Sequence, residues 1–173
     1  MEGLEGVELN EESIGVFVLE WVKSQSGTRA VKDINKNLKY GANLFNPKKK
    51  ALLVTELFCF NTALAIYAVN QIFDHKQSKK IIDNYLNNAS SLFGAFENSM
   101  PNFRNQYEQR MNEYFISFEE DNPALALSFS FLKNVYSGEP QLDIKKQMYV
   151  AASTSAALNT LLEFLSDIKS NQK

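Results

Sequence analysis

The sequence predicts an all-α protein in which five to seven helices form one bundle, and three observations support this prediction. Residues 51–73 hold a single charge, Glu56, and neither Gly nor Pro. A helix that is apolar on all sides belongs at the centre of a globule or in a bilayer. Several other segments carry apolar residues on one side at three- and four-residue spacing. All four prolines fall between these periodic segments and therefore separate helices: Pro47, Pro101, Pro123 and Pro140.

The chain is expected to form one domain over residues 1–173, because this length can bury about 70% of the unfolded surface. Residues 1–9 are expected to be a flexible acidic lead-in. Glu2 and its acidic neighbours stand where a secretory signal would carry bases, so no such signal is expected. Cys59 is the single cysteine, which excludes an intrachain disulfide and agrees with a reducing compartment. We therefore expect a cytoplasmic protein.

The first two helices differ in character. Asn10 or Ser13 can cap the first helix, which has a regular apolar side that Gly15 weakens slightly. A turn at residues 24–28 leads into a shorter lysine-rich helix with a thin apolar stripe, ending near Gly41. We expect this lysine-rich helix to be the least firmly packed part of the domain.

The central helix is predicted over about residues 47–74. Asn46 is a suitable N-cap, and Pro47 fits the first helical position, where its missing N–H is not needed. The uncharged residues 57–73 approach the roughly 17–25 residues that cross a membrane. However, this run includes Asn and Gln, and the other, amphipathic helices need an apolar partner to cover. We predict a buried core helix and no membrane contact.

Four further helices complete the prediction. Amphipathic helices are predicted at about residues 76–97 and 103–118, the second with an aromatic stripe. Residues 125–131 alternate in a way that also fits a strand, but a lone strand would have no partner, so a helix is preferred. The last helix, at about 142–168, is predicted to be the second central helix. Its Ala, Ser and Thr residues at 151–157 would allow another helix to approach closely.

Charge is distributed unevenly, although the net charge is only −2. Residues 1–22 carry six Glu and no base, whereas residues 23–50 carry eight bases against Asp33 alone. The small net charge predicts no bulk attraction to nucleic acid or anionic lipid. The basic segment could still bind an acidic protein, hold nucleic acid phosphates, or pair with the chain's own acids, either the run at residues 119–121 or the six Glu of residues 1–22. Its candidate binding residues are Lys32, Lys36, Lys39, Lys48, Lys49 and Lys50.

Glu56 is the most distinctive single residue, because a desolvated carboxylate must find a cation, find donors or be protonated. Arg110 flanks the aromatic stripe and is a candidate partner. We favour a structural role for Glu56, in an ion pair or as a half-exposed residue near the helix start, over the alternative that it is the polar group of a ligand pocket. The candidate pocket residues are Glu56, Tyr107, Arg110, Tyr114 and Phe118.

Catalytic and metal-binding patterns are not recognisable. His75 is the single histidine, and it lies beside Asp74 at a predicted helix junction, where capping is its simpler role. Cys59 lies deep in an apolar run and is expected to be an inert packed thiol. We therefore predict no catalytic residues, no metal and no cofactor.

These patterns favour a non-enzymatic protein that binds another macromolecule, such as a small regulator, adaptor or inhibitor of the immunity-protein kind. The expected partner is another protein, with an acidic protein or a second copy of the chain as options. One alternative is a helical receptor for a small apolar ligand near Glu56. A less favoured alternative is a nucleic-acid-binding protein acting through residues 23–50. A third is an enzyme that pairs Glu56 with Arg110 or a tyrosine, and a closed cavity beside Glu56 would favour the receptor or the enzyme.

Overall fold

The computed structural model describes residues 10–43, 45–100, 102–137 and 143–171. Within those ranges it contains seven α-helices and no strand, which confirms the predicted all-α bundle. The alternating residues 125–131 are helical, as preferred. The helices are α1 (Glu11–Ser26), α2 (Thr28–Leu38), α3 (Pro47–Ile72), α4 (His75–Ser99), α5 (Phe103–Phe118), α6 (Pro123–Val135) and α7 (Ile144–Asn171).

Helix α3 is the centre of the bundle, because it packs against each of the other six helices. By length and composition alone it could cross a membrane, but 78% of its most apolar window is buried against the rest of the chain. Its start follows the prediction: the side chain of Asn46 accepts a hydrogen bond from the backbone N–H of Lys49 at 3.2 Å, and Pro47 is the first helical residue. The apolar surface of α3 is thus used within the bundle.

The N-terminus of α1 and the C-terminus of α2 are determined by residues at the helix ends themselves. Asn10, rather than Ser13, caps α1 by accepting a hydrogen bond from the backbone N–H of Ser13 at 2.9 Å. Helix α2 ends at Leu38, and Lys39 follows in the left-handed conformation, slightly before the end expected near Gly41. The predicted acidic lead-in, residues 1–9, lies outside the described residues.

Helices α1 and α4 pack closely against each other at Gly15. A Cβ atom at this position would lie 2.7 Å from Asn84 Cβ and 2.9 Å from the carbonyl oxygen of Ile81. Because the second neighbour is backbone, a larger residue would push the two helices apart. The role of Gly15 is therefore close helix packing, which outweighs the slight weakening of α1 inferred from the sequence.

Helix α7, the second predicted central helix, packs along α3 and α6. In its stretch of small residues, Ala151 and Thr154 are buried, whereas Ala152 and Ala156 are exposed. The side of α7 that meets α3 is therefore the one that carries Ala151 and Thr154. The opposite side of this helix faces away from the core.

Candidate functional site

A buried polar cluster around Glu56 joins α3 to α5 and α6. The Glu56 side chain is only 3% exposed. Its Oε2 accepts a hydrogen bond from Arg110 Nε at 3.1 Å, and its Oε1 accepts one from Asn134 Nδ2 at 3.1 Å. The Tyr114 hydroxyl also donates to Oε1. The structure thus brings together three of the five predicted pocket residues and adds Asn134 to them.

Two opposing effects set the protonation of the cluster. Burial raises the pKa of Glu56 above its ordinary value of 4.5, whereas the Tyr114 hydroxyl, the Arg110 charge and the Asn134 amide each lower it. Burial and the neighbouring Glu56 raise the pKa of Tyr114 well above its ordinary range, so its hydroxyl remains a donor. Every described partner of Glu56 is a donor, an arrangement that solvates a carboxylate.

Arg110 also serves a second carboxylate. Its Nη1 lies 3.6 Å from Glu113 Oε2, while its own side chain is 20% exposed. That Oε2 atom is buried and has no hydrogen-bond partner among the described residues. One guanidinium therefore faces two acids, Glu56 on the core side and Glu113 towards the outer surface of α5 and α6.

The remaining two predicted pocket residues pack against other aromatic rings. The ring of Tyr107 meets that of Phe93 edge to face, with centroids 4.9 Å apart. Phe118 stacks on Tyr67 with centroids 4.0 Å apart. No ring contact or hydrogen bond among the described residues joins Tyr107 or Phe118 to Glu56. The aromatic stripe of α5 is divided between separate packing contacts.

Three hollows stand out in the described part of the chain, and Glu56 lines none of them. A groove of about 430 Å³ lies between α5 and α6. A second, of about 260 Å³, lies between α4 and α5 beside Tyr107. The third, of about 70 Å³, lies where α3 crosses α7, beside Asn61 and Thr154. Arg110, Tyr114 and Asn134 all donate hydrogen bonds to Glu56, an arrangement typical of a structural ion pair rather than of a ligand pocket.

The two other candidate reactive groups carry no catalytic arrangement. Cys59 is buried, and burial raises the pKa of its thiol well above the ordinary value, which leaves it protonated. His75 is exposed as the first residue of α4, and Asp74, rather than His75 as expected, provides the cap by accepting a hydrogen bond from the backbone N–H of Gln77 at 2.9 Å. Among the described residues, no three His, Cys, Asp or Glu side chains form a metal-binding group.

The six lysines singled out in the sequence are all exposed, and we call them the basic surface: Lys32, Lys36, Lys39, Lys48, Lys49 and Lys50. Lys49 is held in place, because its Nζ donates to the carbonyl oxygen of Tyr40 at 3.1 Å. None of the six forms an ion pair with a described residue. Among the described residues, no base of residues 23–50 pairs with the acidic run at residues 119–121, whereas Lys23, outside the basic surface, pairs with Glu20 at 2.6 Å.

Phe45 was not singled out in the sequence, yet 97% of it is exposed. It lies in the connection between α2 and α3, inside the stretch that carries the basic surface. This connection is anchored, because the Asn35 side chain accepts a hydrogen bond from Ala42 N at 2.7 Å and donates one to Ala42 O at 3.0 Å. The backbone N–H of Phe45 donates to Asn43 Oδ1 at 2.9 Å. A single Phe in a loop has no periodicity, so the sequence pattern could not reveal its exposure.

Comparison with known proteins adds no function: the chain matches no protein-family model, no curated protein and no solved structure. The two candidate sites must therefore be weighed by their own chemistry. The carboxylate of Glu56 is buried and satisfied by partners within the chain. The basic surface is exposed, and only Lys49 among its lysines has a partner, the carbonyl oxygen and ring of Tyr40, while the ring of Phe45 makes no ring contact with a described residue. Groups left without partners at a surface are the ones available to another molecule.

Proposed function

We propose that this protein is a non-enzymatic cytoplasmic binding protein, a regulator, adaptor or inhibitor, that engages an acidic protein through the basic surface. The observation that carries this proposal is the combination of six exposed lysines and an almost fully exposed Phe45 within residues 32–50. Phe45 acts as the apolar anchor of the contact, and the lysines surround it in sequence.

Charge and apolar burial contribute differently to such a contact. Lysines at the rim of an interface mainly raise the association rate and set its salt dependence. An aromatic side chain that enters a pocket of the partner supplies affinity, and aromatic residues are enriched among the residues that dominate binding energy. Burying a Phe side chain fully is worth about 1.5–3 kcal/mol, or at least a tenfold change in affinity. The basic surface and Phe45 together therefore give both an attraction and an anchor.

An acidic protein is favoured over nucleic acid as the partner. The chain has a net charge of −2 and a pI of about 5.5, so the rest of the molecule would repel a long polyanion. The basic surface consists of lysines, whereas bidentate recognition of phosphates typically uses arginine. A compact acidic patch on a protein can meet the basic surface without approaching the remaining acids.

The proposal is tested by reversing charge at the basic surface. In Lys32→Glu/Lys36→Glu/Lys39→Glu, three exposed lysines of one short segment change sign. The control Lys76→Glu/Lys79→Glu/Lys145→Glu reverses three exposed lysines elsewhere and changes the net charge equally. Bait protein is exposed to extract from the native host, and the bound species are identified by mass spectrometry. We expect the first variant to lose an acidic protein that wild type and control retain.

The outcomes separate the alternatives. An unchanged profile for the basic-surface variant overturns the proposal and leaves the lysines as a solvated face. Capture of nucleic acid, with an affinity that falls steeply with salt and shows little sequence preference, would favour the nucleic-acid alternative instead. Competition with nonspecific DNA distinguishes the two, because an acidic protein partner should remain bound.

A further inference from the structure

A second surface, opposite in charge to the basic surface, lies in the groove between α5 and α6. Ile116 is 61% exposed and Phe129 is 40% exposed, and both line this groove of about 430 Å³. Three acids also line it, Glu113, Glu120 and Asp121. Exposed apolar patches bordered by polar groups are characteristic of sites where proteins dock. We call this surface the acidic groove.

One hydrogen bond between the two helices, and one within α5, hold the acidic groove in shape. The hydroxyls of Ser117 on α5 and Ser130 on α6 lie 2.9 Å apart and share a hydrogen bond. Ser117 also donates to the carbonyl oxygen of Glu113 at 3.0 Å. Both serines line the groove, so its floor is formed before any ligand arrives.

The acidic groove runs along α6 from Asn122 to Lys133, and two of its three acids lie before the N-terminal end of that helix. Glu120 and Asp121 immediately precede this helix. At its other end, the Tyr136 hydroxyl donates to the carbonyl oxygen of Leu38 at 3.0 Å, and the rings of Tyr136 and Tyr40 meet edge to face at 5.3 Å. These contacts tie the α2–α3 connection to the C-terminal end of α6, a helix about 20 Å long. Glu120 and Asp121 are therefore separated from the α2–α3 connection by about the length of α6, and the ring of Phe45, which is 97% exposed, does not fill the groove of its own chain.

We propose that a second copy of this chain inserts Phe45 into the acidic groove, so that its basic surface meets the three acids. The occupant is identified by complementarity: the same chain displays an exposed aromatic ring among exposed lysines that form no ion pair with a described residue, and an apolar groove among acids. Lys133 also lines the groove, and the acids outnumber it. This inference rests on the proposed use of the basic surface, and adds that a second copy covers that surface until the acidic partner displaces it.

The geometry of this contact has a testable consequence. It joins two different surfaces, so the copies form a ring or an open chain, and an open chain keeps one free groove at one end and one free Phe45 at the other. Attraction between exposed charges is screened by salt, so the assembly weakens as ionic strength rises. A contact made by one loop and one groove is small, which fits a reversible, concentration-dependent association.

Sedimentation velocity of the purified full chain, from micromolar to millimolar concentration at low salt, tests the proposal. We expect wild type to associate, and Phe45→Ala and Glu120→Lys/Asp121→Lys each to remain monomeric. Mixing those two variants should produce a dimer and nothing larger, because one variant keeps an intact groove and the other an intact loop. Val16→Ala, which shortens an exposed side chain on α1, is the control and should associate like wild type.

Two kinds of result, one with wild type and one with the variants, would overturn the self-docking proposal. One is a wild-type protein that stays monomeric over the whole concentration range. The other is association that survives in either variant, or a mixture of the two variants that fails to dimerise. Both results leave the acidic-partner proposal intact, because that proposal is decided by capture with the Lys32/Lys36/Lys39 variant and not by sedimentation of the pure protein.

Discussion

The Glu56 cluster and the basic surface place charge in opposite settings. Glu56 is buried, and its two oxygens accept hydrogen bonds from Arg110, Tyr114 and Asn134. The lysines of the basic surface are exposed and meet no acid among the described residues. Charge matched inside the chain fixes how three helices pack, whereas charge left unmatched outside remains available to another molecule.

This difference predicts different consequences of mutation. A buried ion pair gives little net stability compared with apolar packing, but removing one member leaves an uncompensated charge in the interior. Removing an exposed lysine costs the folded protein little stability, because water solvates its charge in both the folded and the unfolded state. Stability measurements should therefore detect the cluster, and binding measurements should detect the surface.

The largest expected effect comes from removing the cation of the cluster. Arg110→Met leaves Glu56 buried without a positive partner, which typically costs about 3–5 kcal/mol. We expect a loss of about 3 kcal/mol, at the lower end, because Arg110 is itself 20% exposed. Urea unfolding at neutral pH measures the free energy of unfolding directly.

Arg104→Met is the matched control for this experiment. Arg104 also pairs with a glutamate, Glu97, but their side chains are 73% and 38% exposed. Exposed pairs contribute about 0–1 kcal/mol, so the control should lose no more than that. Equal losses in the two variants would show that the burial of Glu56 does not set the importance of its partner.

The sequence was informative wherever a local pattern carried the signal. Proline positions and apolar spacing predicted the helices, and the lone charge in an apolar run identified Glu56 as a residue in need of partners. Arg110 and Tyr114 followed, because Tyr114 belongs to the aromatic stripe of residues 103–118 and Arg110 flanks it. The cap at Asn46 was likewise readable from two adjacent residues.

The features that the sequence did not reveal depend on how the helices meet. Asn134 completes the Glu56 cluster from α6, a contact across 78 positions in the chain that no local pattern encodes. The need for glycine at position 15 becomes visible only in the three-dimensional structure, where α4 packs against it. The acidic groove likewise arises from two helices, each of which is an ordinary amphipathic segment alone. Packing geometry, rather than residue type, carries this information.

A smaller effect is expected in the pH dependence of stability. Burial raises the folded-state pKa of Glu56 above the ordinary value of 4.5, so the folded protein retains a proton that the unfolded chain releases. The stability contributed by this group is therefore fully present below pH 4.5 and is lost as the pH rises through the folded-state pKa. One group contributes a slope of at most about 1.4 kcal/mol per pH unit.

Urea unfolding of wild type and Glu56→Gln over a series of pH values tests this prediction. The Gln variant is less stable overall, because its amide donor faces Arg110. It should nevertheless lack the decrease in the free energy of unfolding that Glu56 causes as the pH rises. Arg110→Met should enlarge this decrease in stability with rising pH, because the Arg110 charge lowers the pKa of Glu56. Parallel pH profiles for wild type and Glu56→Gln would contradict the assignment.

The smallest expected effect on stability comes from the basic surface. Phe45→Ala removes a ring that is 97% exposed, and Lys36→Ala removes an exposed lysine without a described ion pair. Substitutions away from buried features usually change stability by less than about 0.5 kcal/mol, and we expect both variants within that limit in urea unfolding. A loss well above 1 kcal/mol for Phe45→Ala would mean that the ring packs against the folded chain. Phe45 would then belong with the internally matched groups such as Glu56, and its use as an anchor for another molecule would be excluded.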